Sequence, residues 1–128
     1  DGEAGRAIEV LESTGDGGDS SVPIAYYLAD ALMKSGRLDD ARLRLRSALR
    51  RSPSDAALYK LLARVEGERD QWAQSFQAMA EYAFLRDELD QALGHLQAAM
   101  THSADSAYLK ASIDARIKEI ERNRGKTK

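Results

Sequence analysis

The chain has 128 residues, a length that suits one compact domain. Its 19 basic and 21 acidic residues give a formal net charge of −2, so it has no general attraction to nucleic acid or to an anionic membrane. The absence of cysteine excludes disulfides and thiolate metal sites.

Hydrophobic periodicity of about 3.6 residues predicts an all-α chain of about seven helices. A glycine-rich stretch at 15–21 predicts a flexible loop after the first helix, and Gly36 is expected to end the second in a left-handed conformation. No apolar run reaches the roughly 20 residues that span a bilayer, so no membrane span is predicted. The predicted helices cover about residues 2–13, 22–35, 38–51, 54–69, 71–86, 88–101 and 104–122.

Internal self-similarity is the most informative feature. Residues 22–55 form a 34-residue unit with small residues at Ala29, Ala41 and Ala48, a glycine at the turn and Pro53 after the second helix. A shift of 34 residues gives a weaker match, in which Asp70 replaces Gly36. A shift of 51 gives a better one, with Ala92 in place of Ala41. Because 51 residues correspond to three helices, the helix at 71–86 is predicted to serve in two overlapping hairpins.

These positions resemble the tetratricopeptide repeat (TPR) at nearly every diagnostic slot. The resemblance implies an α-α superhelix of antiparallel hairpins, in which Ala29, Ala41, Ala63 and Ala92 let helices come close together. The predicted single domain, 1–128, divides into a partial repeat helix (1–14), the loop (15–21), a TPR unit (22–55), overlapping TPR-like units (56–103), a capping helix (104–123) and a tail (124–128).

Two stretches carry a narrower resemblance. The segment DAALYKLLARVEGERDQWAQSFQAMAEYAFLRDELDQALGHLQAAM (55–100) and the segment AYLKASIDARIKEIE (107–121) resemble the C-terminal helical domain of bacterial HtpX-like zinc metallopeptidases. The periplasmic beta-barrel assembly-enhancing protease belongs to that family. In the second segment the places that the resemblance rests on are occupied by Tyr108, Ala115, Arg116, Ile117, Glu119 and Ile120.

That resemblance implies a periplasmic parent protein whose zinc and H-E-x-x-H motif lie upstream. The motif is absent from this chain, so no catalytic, cofactor or metal residue is predicted here and the fragment is expected not to be an enzyme. The chain begins at Asp1 without methionine, and we expect it to be a piece of a longer protein. Its partner would be a protein or peptide, such as outer-membrane assembly machinery or its own peptidase domain. The alternative is a free-standing scaffold subunit of a secretion, pilus or envelope assembly.

Other polar groups have plainer interpretations. His95 and His102 are too few to hold zinc, for which three or four ligands are needed. Arg42, Arg46 and Arg50 share a helix face, but no aromatic residues interleave with them, which favours a solvated face over a nucleic-acid site. The Glu66/Glu68 pair is interpreted as helix capping and solubility.

The remaining candidate is a protein-binding groove lined by the first helix of each hairpin. Its slots mix charged, aromatic and thioether side chains, which suits recognition of a peptide. Tyr26 and Asp30 stand where a carboxylate-clamping repeat has Lys and Asn, so no such clamp is predicted. Nine residues are predicted to line the groove: Tyr26, Asp30, Met33, Lys34, Lys60, Arg64, Gln77, Glu81 and Phe84.

Overall fold

The structure is a computed structural model that describes residues 21–126, and this part consists of six helices joined by short turns. The predicted partial helix at 1–14 lies outside the described residues, as does nearly all of the predicted loop. The helices are α1 (Val22–Lys34), α2 (Leu38–Arg51), α3 (Ala56–Glu68), α4 (Trp72–Leu85), α5 (Leu89–Thr101) and α6 (Ala107–Lys126).

Side-chain caps begin three of the described helices; at α6 the hydroxyl of Ser106 accepts a hydrogen bond from the backbone N–H of Leu109 at 3.1 Å. The hydroxyl of Ser21 accepts a hydrogen bond from the backbone N–H of Ile24 at 3.4 Å, just before the proline in the first turn of α1. At the start of α3 the carboxylate of Asp55 accepts from the backbone N–H of Leu58 at 3.2 Å. Each of these caps therefore satisfies one backbone donor that would otherwise lack a partner.

Three equivalent turns follow α1, α3 and α4. Gly36 has φ +84°, as predicted, and Asp70 and Asp87 stand at the same repeat slot with φ 60° each. In each turn the next N–H reaches back to a carbonyl five residues earlier, at 2.8 Å from Arg37 to Leu32 and 2.8 Å from Gln71 to Glu66. This is the Schellman arrangement, which ends a helix and turns the chain.

Close helix–helix contact at small residues is confirmed. Ala29, Ala41, Ala63 and Ala92 are all buried. At the slot equivalent to Ala41 in the second hairpin, Ser75 is also buried, and its hydroxyl donates to the carbonyl oxygen of Ala63 at 2.7 Å. A side chain of α4 thus bonds directly to the backbone of α3, which requires the two helices to lie close together.

The double use of α4 is visible in the packing. Helix α4 packs against α3 on one side and against α5 on the other, whereas α3 and α5 do not contact each other. Helix α1 contacts both α2 and α3, and α6 contacts both α4 and α5. Two apolar clusters result, one shared by α1–α4 and one shared by α4–α6.

Sharing α4 also decides the side on which the next helix stacks. In a regular repeat array each hairpin consists of two helices of its own, and successive hairpins then stack on the same side of the preceding one. Here α4 is also the first helix of the next hairpin, and it runs antiparallel to α3, the first helix of the hairpin before. The next hairpin therefore stacks on the opposite side. Arg46 of α2 and Arg116 of α6 accordingly line one common depression, on the same side of α3 and α4.

The last helix is longer than predicted. It was expected to end near Arg122, but α6 continues to Lys126, through most of the predicted tail. The guanidinium of Arg124 lies 3.3 Å from the carboxylate of Asp90 on α5, a contact that ties the extra turn to the domain. In the part of the chain described here, no helix combines the length and apolarity that a bilayer crossing requires.

Candidate protein-interaction surfaces

A polar cleft lies between α2 and α3 on one side and α6 on the other, with α4 as its floor. It consists of two adjoining depressions of about 300 and 520 Å³. Both are lined by Arg46, Gln74, Gln77 and Ser112. Tyr59 and Glu81 line the inner part, and Tyr108, which is 80% exposed, lies at the outer part. Amide, hydroxyl and guanidinium groups dominate this surface.

An ion pair between α4 and α6 closes the inner end of the polar cleft. The guanidinium of Arg116 donates to both carboxylate oxygens of Glu81 at 2.8 Å each, and it also bonds Glu119 on its own helix. The same guanidinium lies 4.5 Å from the ring centroid of Phe84, within cation–π range. Because Glu81 and Phe84 both belong to α4, their contacts with Arg116 fix the distance between α4 and α6 at this point.

The wall formed by α2 is held by Glu66 of α3, whose side chain is fully buried. Its carboxylate lies 2.6 Å from the guanidinium of Arg69 and 3.2 Å from that of Arg42. Arg46 stands slightly farther away at 3.6 Å. The interpretation of Glu66 as a solvated capping residue is therefore wrong, and two of the arginines assigned to a solvated face are partners of a buried carboxylate.

The pKa of Tyr59 reflects its surroundings in the polar cleft. Burial raises the pKa of its hydroxyl above the ordinary value, and the nearby carboxylate of Glu81 raises it further. Arg116 and Arg46 act in the opposite direction. The phenol therefore stays neutral to a higher pH than an ordinary tyrosine does, and in this form it can both donate and accept a hydrogen bond.

A second depression of about 410 Å³ lies between α3 and α4, and it shares no residue with the polar cleft. We call it the apolar seat; it is lined by Lys60, Ala63, Arg64, Gly67, Glu68, Trp72, Ser75 and Met79. The indole of Trp72 is 47% exposed and leans over Gly67, where a Cβ atom would stand 3.4 Å from its ring. An exposed aromatic ring beside a thioether is a common feature of protein-binding surfaces.

The family follows from the repeat, the hairpin packing and a sequence comparison. The family described as Tetratricopeptide repeat matches residues 1–65, which include α1, α2 and most of α3. The chain belongs to the tetratricopeptide-repeat family. No curated protein matches it. The all-helical hairpin fold of a tetratricopeptide repeat is typical of non-catalytic domains that bind other proteins.

The structure separates the predicted groove residues of this tetratricopeptide repeat into three places. Lys60 and Arg64 line the apolar seat, whereas Gln77 and Glu81 line the polar cleft. Phe84 packs beside Arg116 at the inner end of the cleft. The overlap at α4 explains the division, because corresponding slots on α3 and α4 face opposite sides.

The four predicted groove residues of α1 form neither depression. The ammonium of Lys34 pairs with the carboxylate of Asp30 at 2.8 Å. Tyr26 packs against the core and meets the ring of Tyr27 edge-on, with the two centroids 5.5 Å apart. Met33 is only 4% exposed and belongs to the core, so its thioether offers a partner no surface.

Neither histidine has the surroundings of a metal ligand. The rings of His95 and His102 stack on Phe76, with centroid distances of 6.3 and 5.5 Å. Among the described residues, no three side chains of the metal-binding types come together. The sequence did not predict that Arg116 and Arg46 line a binding surface, because they lie outside the groove slots of the repeat. In the structure both line the polar cleft.

Proposed function

We propose that this tetratricopeptide-repeat domain holds an extended segment of a protein partner in the polar cleft. The domain would belong to a bacterial cell-envelope zinc metallopeptidase, for which it would dock or regulate substrate. The observation that carries the proposal is the pair of amide side chains, Gln74 and Gln77, on the floor of a cleft walled by α2, α3 and α6.

The chemistry of the floor suits a polypeptide backbone. Gln74 and Gln77 are three residues apart on α4, so their amides lie on one helix face. Each amide offers donors and an acceptor, the same combination that an extended peptide presents with its own N–H and C=O groups. Arg46 and Ser112 add donors from the two sides, and together these groups favour a segment with an acidic side chain near Arg46.

The rigidity of the walls adds to affinity. Glu66 holds the wall of α2, and the ion pair of Arg116 with Glu81 holds the wall of α6. A surface that is already in its bound shape loses little conformational freedom when a partner arrives. A short segment can therefore bind usefully in a cleft whose outer part is open to solvent.

The proposed parent enzyme rests on the resemblance of segments 55–100 and 107–121 to HtpX-like metallopeptidases. The proposed compartment is the periplasm. The cofactor would be zinc in an upstream peptidase domain, and none is proposed for this fragment. Outer-membrane assembly machinery or the parent's own peptidase domain would be the partner. Reading the coding sequence upstream of Asp1 tests this: an H-E-x-x-H helix there supports the peptidase, and its absence favours a free-standing scaffold subunit.

Photo-crosslinking tests the cleft itself. A benzophenone amino acid at position 77 of the full-length protein, expressed in its own host, should capture a polypeptide that the same residue at position 91 does not. Gln91 is an exposed glutamine on α5 and serves as the matched control. The double substitution Gln74→Ala/Gln77→Ala, probed by panning a random peptide library, should remove the peptides that the unaltered domain selects. Selection of the same peptides by both forms would refute the cleft as the binding site.

A further inference from the structure

The apolar seat has a filled counterpart in the same chain. A shift of 34 residues relates the lining of the seat to residues of the first hairpin: Ala63 to Ala29, Gly67 to Met33, Trp72 to Leu38, Ser75 to Ala41 and Met79 to Leu45. In the first hairpin Met33 and Leu45 are buried, in one cluster with Leu58 and Leu62 of α3. The helix that covers this face of α1 and α2 is therefore α3, which contacts both.

On the second hairpin the same face carries no helix of the described part. Because α4 is used twice, α6 stacks on the opposite side, and α5 does not contact α3. Trp72 is consequently 47% exposed, and Met79 is half-buried, whereas its counterpart Leu45 is fully buried. Among residues 21–126, the fold thus forms a place for one more helix and leaves it unfilled.

The edge of the seat indicates the charge of its occupant. Lys60 and Arg64 lie one turn apart on α3 and are exposed. Within residues 21–126 neither is part of an ion pair; the ammonium of Lys60 only lies 5.4 Å from the ring centroid of Tyr82. Glu68 follows one turn later. Two of these three charged residues are basic, so an occupant with acidic groups beside Lys60 and Arg64 would complement the charge of most of this edge.

We propose that the apolar seat binds an amphipathic α-helix of a separate protein, with an apolar stripe on Trp72 and Met79 and acidic side chains facing Lys60 and Arg64. The bound helix takes the place that α3 takes on the first hairpin. This is a second binding surface, independent of the polar cleft, and it recognises a helix where the cleft recognises an extended segment.

A designed peptide tests the proposal directly. The probe is a fluorescein-labelled helical peptide of about 15 residues, or four turns, with a Leu/Ala stripe and two Glu residues one turn apart on its flank. A second peptide carries Lys in place of both Glu. Trp72 is the only tryptophan of the chain, so its emission reports the seat alone. The acidic peptide should shift that emission to shorter wavelength and should bind at least about tenfold more tightly than the basic one.

Charge reversal distinguishes the proposal from unspecific apolar binding. Lys60→Glu/Arg64→Glu should weaken the acidic peptide about tenfold or more and strengthen the basic one. Arg50 is also an exposed arginine, on α2, and Arg50→Glu should change the binding of neither peptide. Gln74→Ala/Gln77→Ala should also leave this binding intact, so that failure of the cleft and failure of the seat remain separate results.

Three outcomes would overturn the proposal. Equal binding of both peptides would show that the edge charges do not select the occupant. An unchanged Trp72 emission would show that the peptide binds elsewhere. Sedimentation of the unaltered protein as a dimer with a shielded Trp72 would identify a second copy of the chain, rather than a partner helix, as the occupant.

Discussion

Arg116 of α6 and Glu81 of α4 form a two-point ion pair, with both hydrogen bonds at 2.8 Å. The two side chains are each about one-quarter exposed, at 24% and 25%. Helix α6 packs less extensively on the rest of the domain than the inner helices do, so this pair contributes much of what orients it. It also keeps Glu81, a predicted groove residue, engaged within the domain.

Arg116→Ala should therefore loosen α6. We expect a loss of about 1–3 kcal/mol in the free energy of unfolding, because the charge-assisted bidentate bonds and the cation–π contact with Phe84 are removed together. Urea unfolding measures the loss, and amide hydrogen exchange should show it concentrated in α6. Lys118→Ala is the control, since its ion pair with Asp114 is exposed and within one helix. An equal effect of both substitutions would contradict this role of Arg116.

Glu66 is the most buried charge of the described residues, and three arginines surround it. Glu66→Ala should cost about 3 kcal/mol of stability, because it removes the common partner of the three arginines from a fully buried position. Glu68→Ala is the matched control: the residue is exposed and lies two positions away on the same helix. Its substitution should change stability by no more than about 0.5 kcal/mol. Thermal and urea unfolding of both variants decide the point, and a Glu66→Ala variant as stable as Glu68→Ala would refute the network.

The burial of Glu66 was overlooked, although the sequence contains a signal for it. Glu66 follows Leu58 and Leu62 at successive steps of four residues, so it lies on the buried stripe of α3. Arg42 and Arg46 repeat with the same spacing on the preceding helix. The stripe alone could not reveal that these arginines face Glu66, because the angle between two helices depends on packing over the whole contact.

The hairpins and their small contact residues were predictable because the steric requirement is local. A small residue is needed wherever two helix backbones come close, and shifts of 34 and 51 residues therefore detect positions such as Ala63 and Ala92. The predicted single groove was less successful, because its slot numbering assumed one stacking side. Because α4 belongs to two hairpins, Lys60 on α3 and Gln77 on α4 face different depressions. That reversal is a property of the assembled helices.

The repeat is better preserved in backbone than in sequence. Asp70 and Asp87 weaken the match at the slot of Gly36, yet all three residues have positive φ. Asp70→Gly should be neutral or stabilising by up to about 1 kcal/mol, since glycine takes this conformation without steric cost. Asp70→Ala and Gly36→Ala should each cost about 1 kcal/mol, because alanine does not. Melting temperatures test the order, and Asp70→Ala more stable than Asp70→Gly would contradict it.

Tyr59 provides a prediction for alkaline pH. Burial and Glu81 raise the pKa of its hydroxyl above the ordinary value of 10.0. Between 10.0 and the higher folded value, the unfolded chain loses the phenolic proton and the folded chain keeps it. Unfolding then releases a proton, so this contribution to stability is complete below pH 10.0 and is lost as pH rises through the folded value.

Tyr59→Phe should consequently reduce the fall in stability between about pH 9 and about pH 11, because phenylalanine has no proton to release. Urea unfolding at the two pH values measures the fall in each protein. Tyr108→Phe is the control, since Tyr108 is 80% exposed at the rim of the polar cleft and its substitution should leave the fall unchanged. If Tyr59→Phe and the unaltered protein lose stability equally over this range, then burial beside Glu81 does not raise the pKa of the Tyr59 phenol.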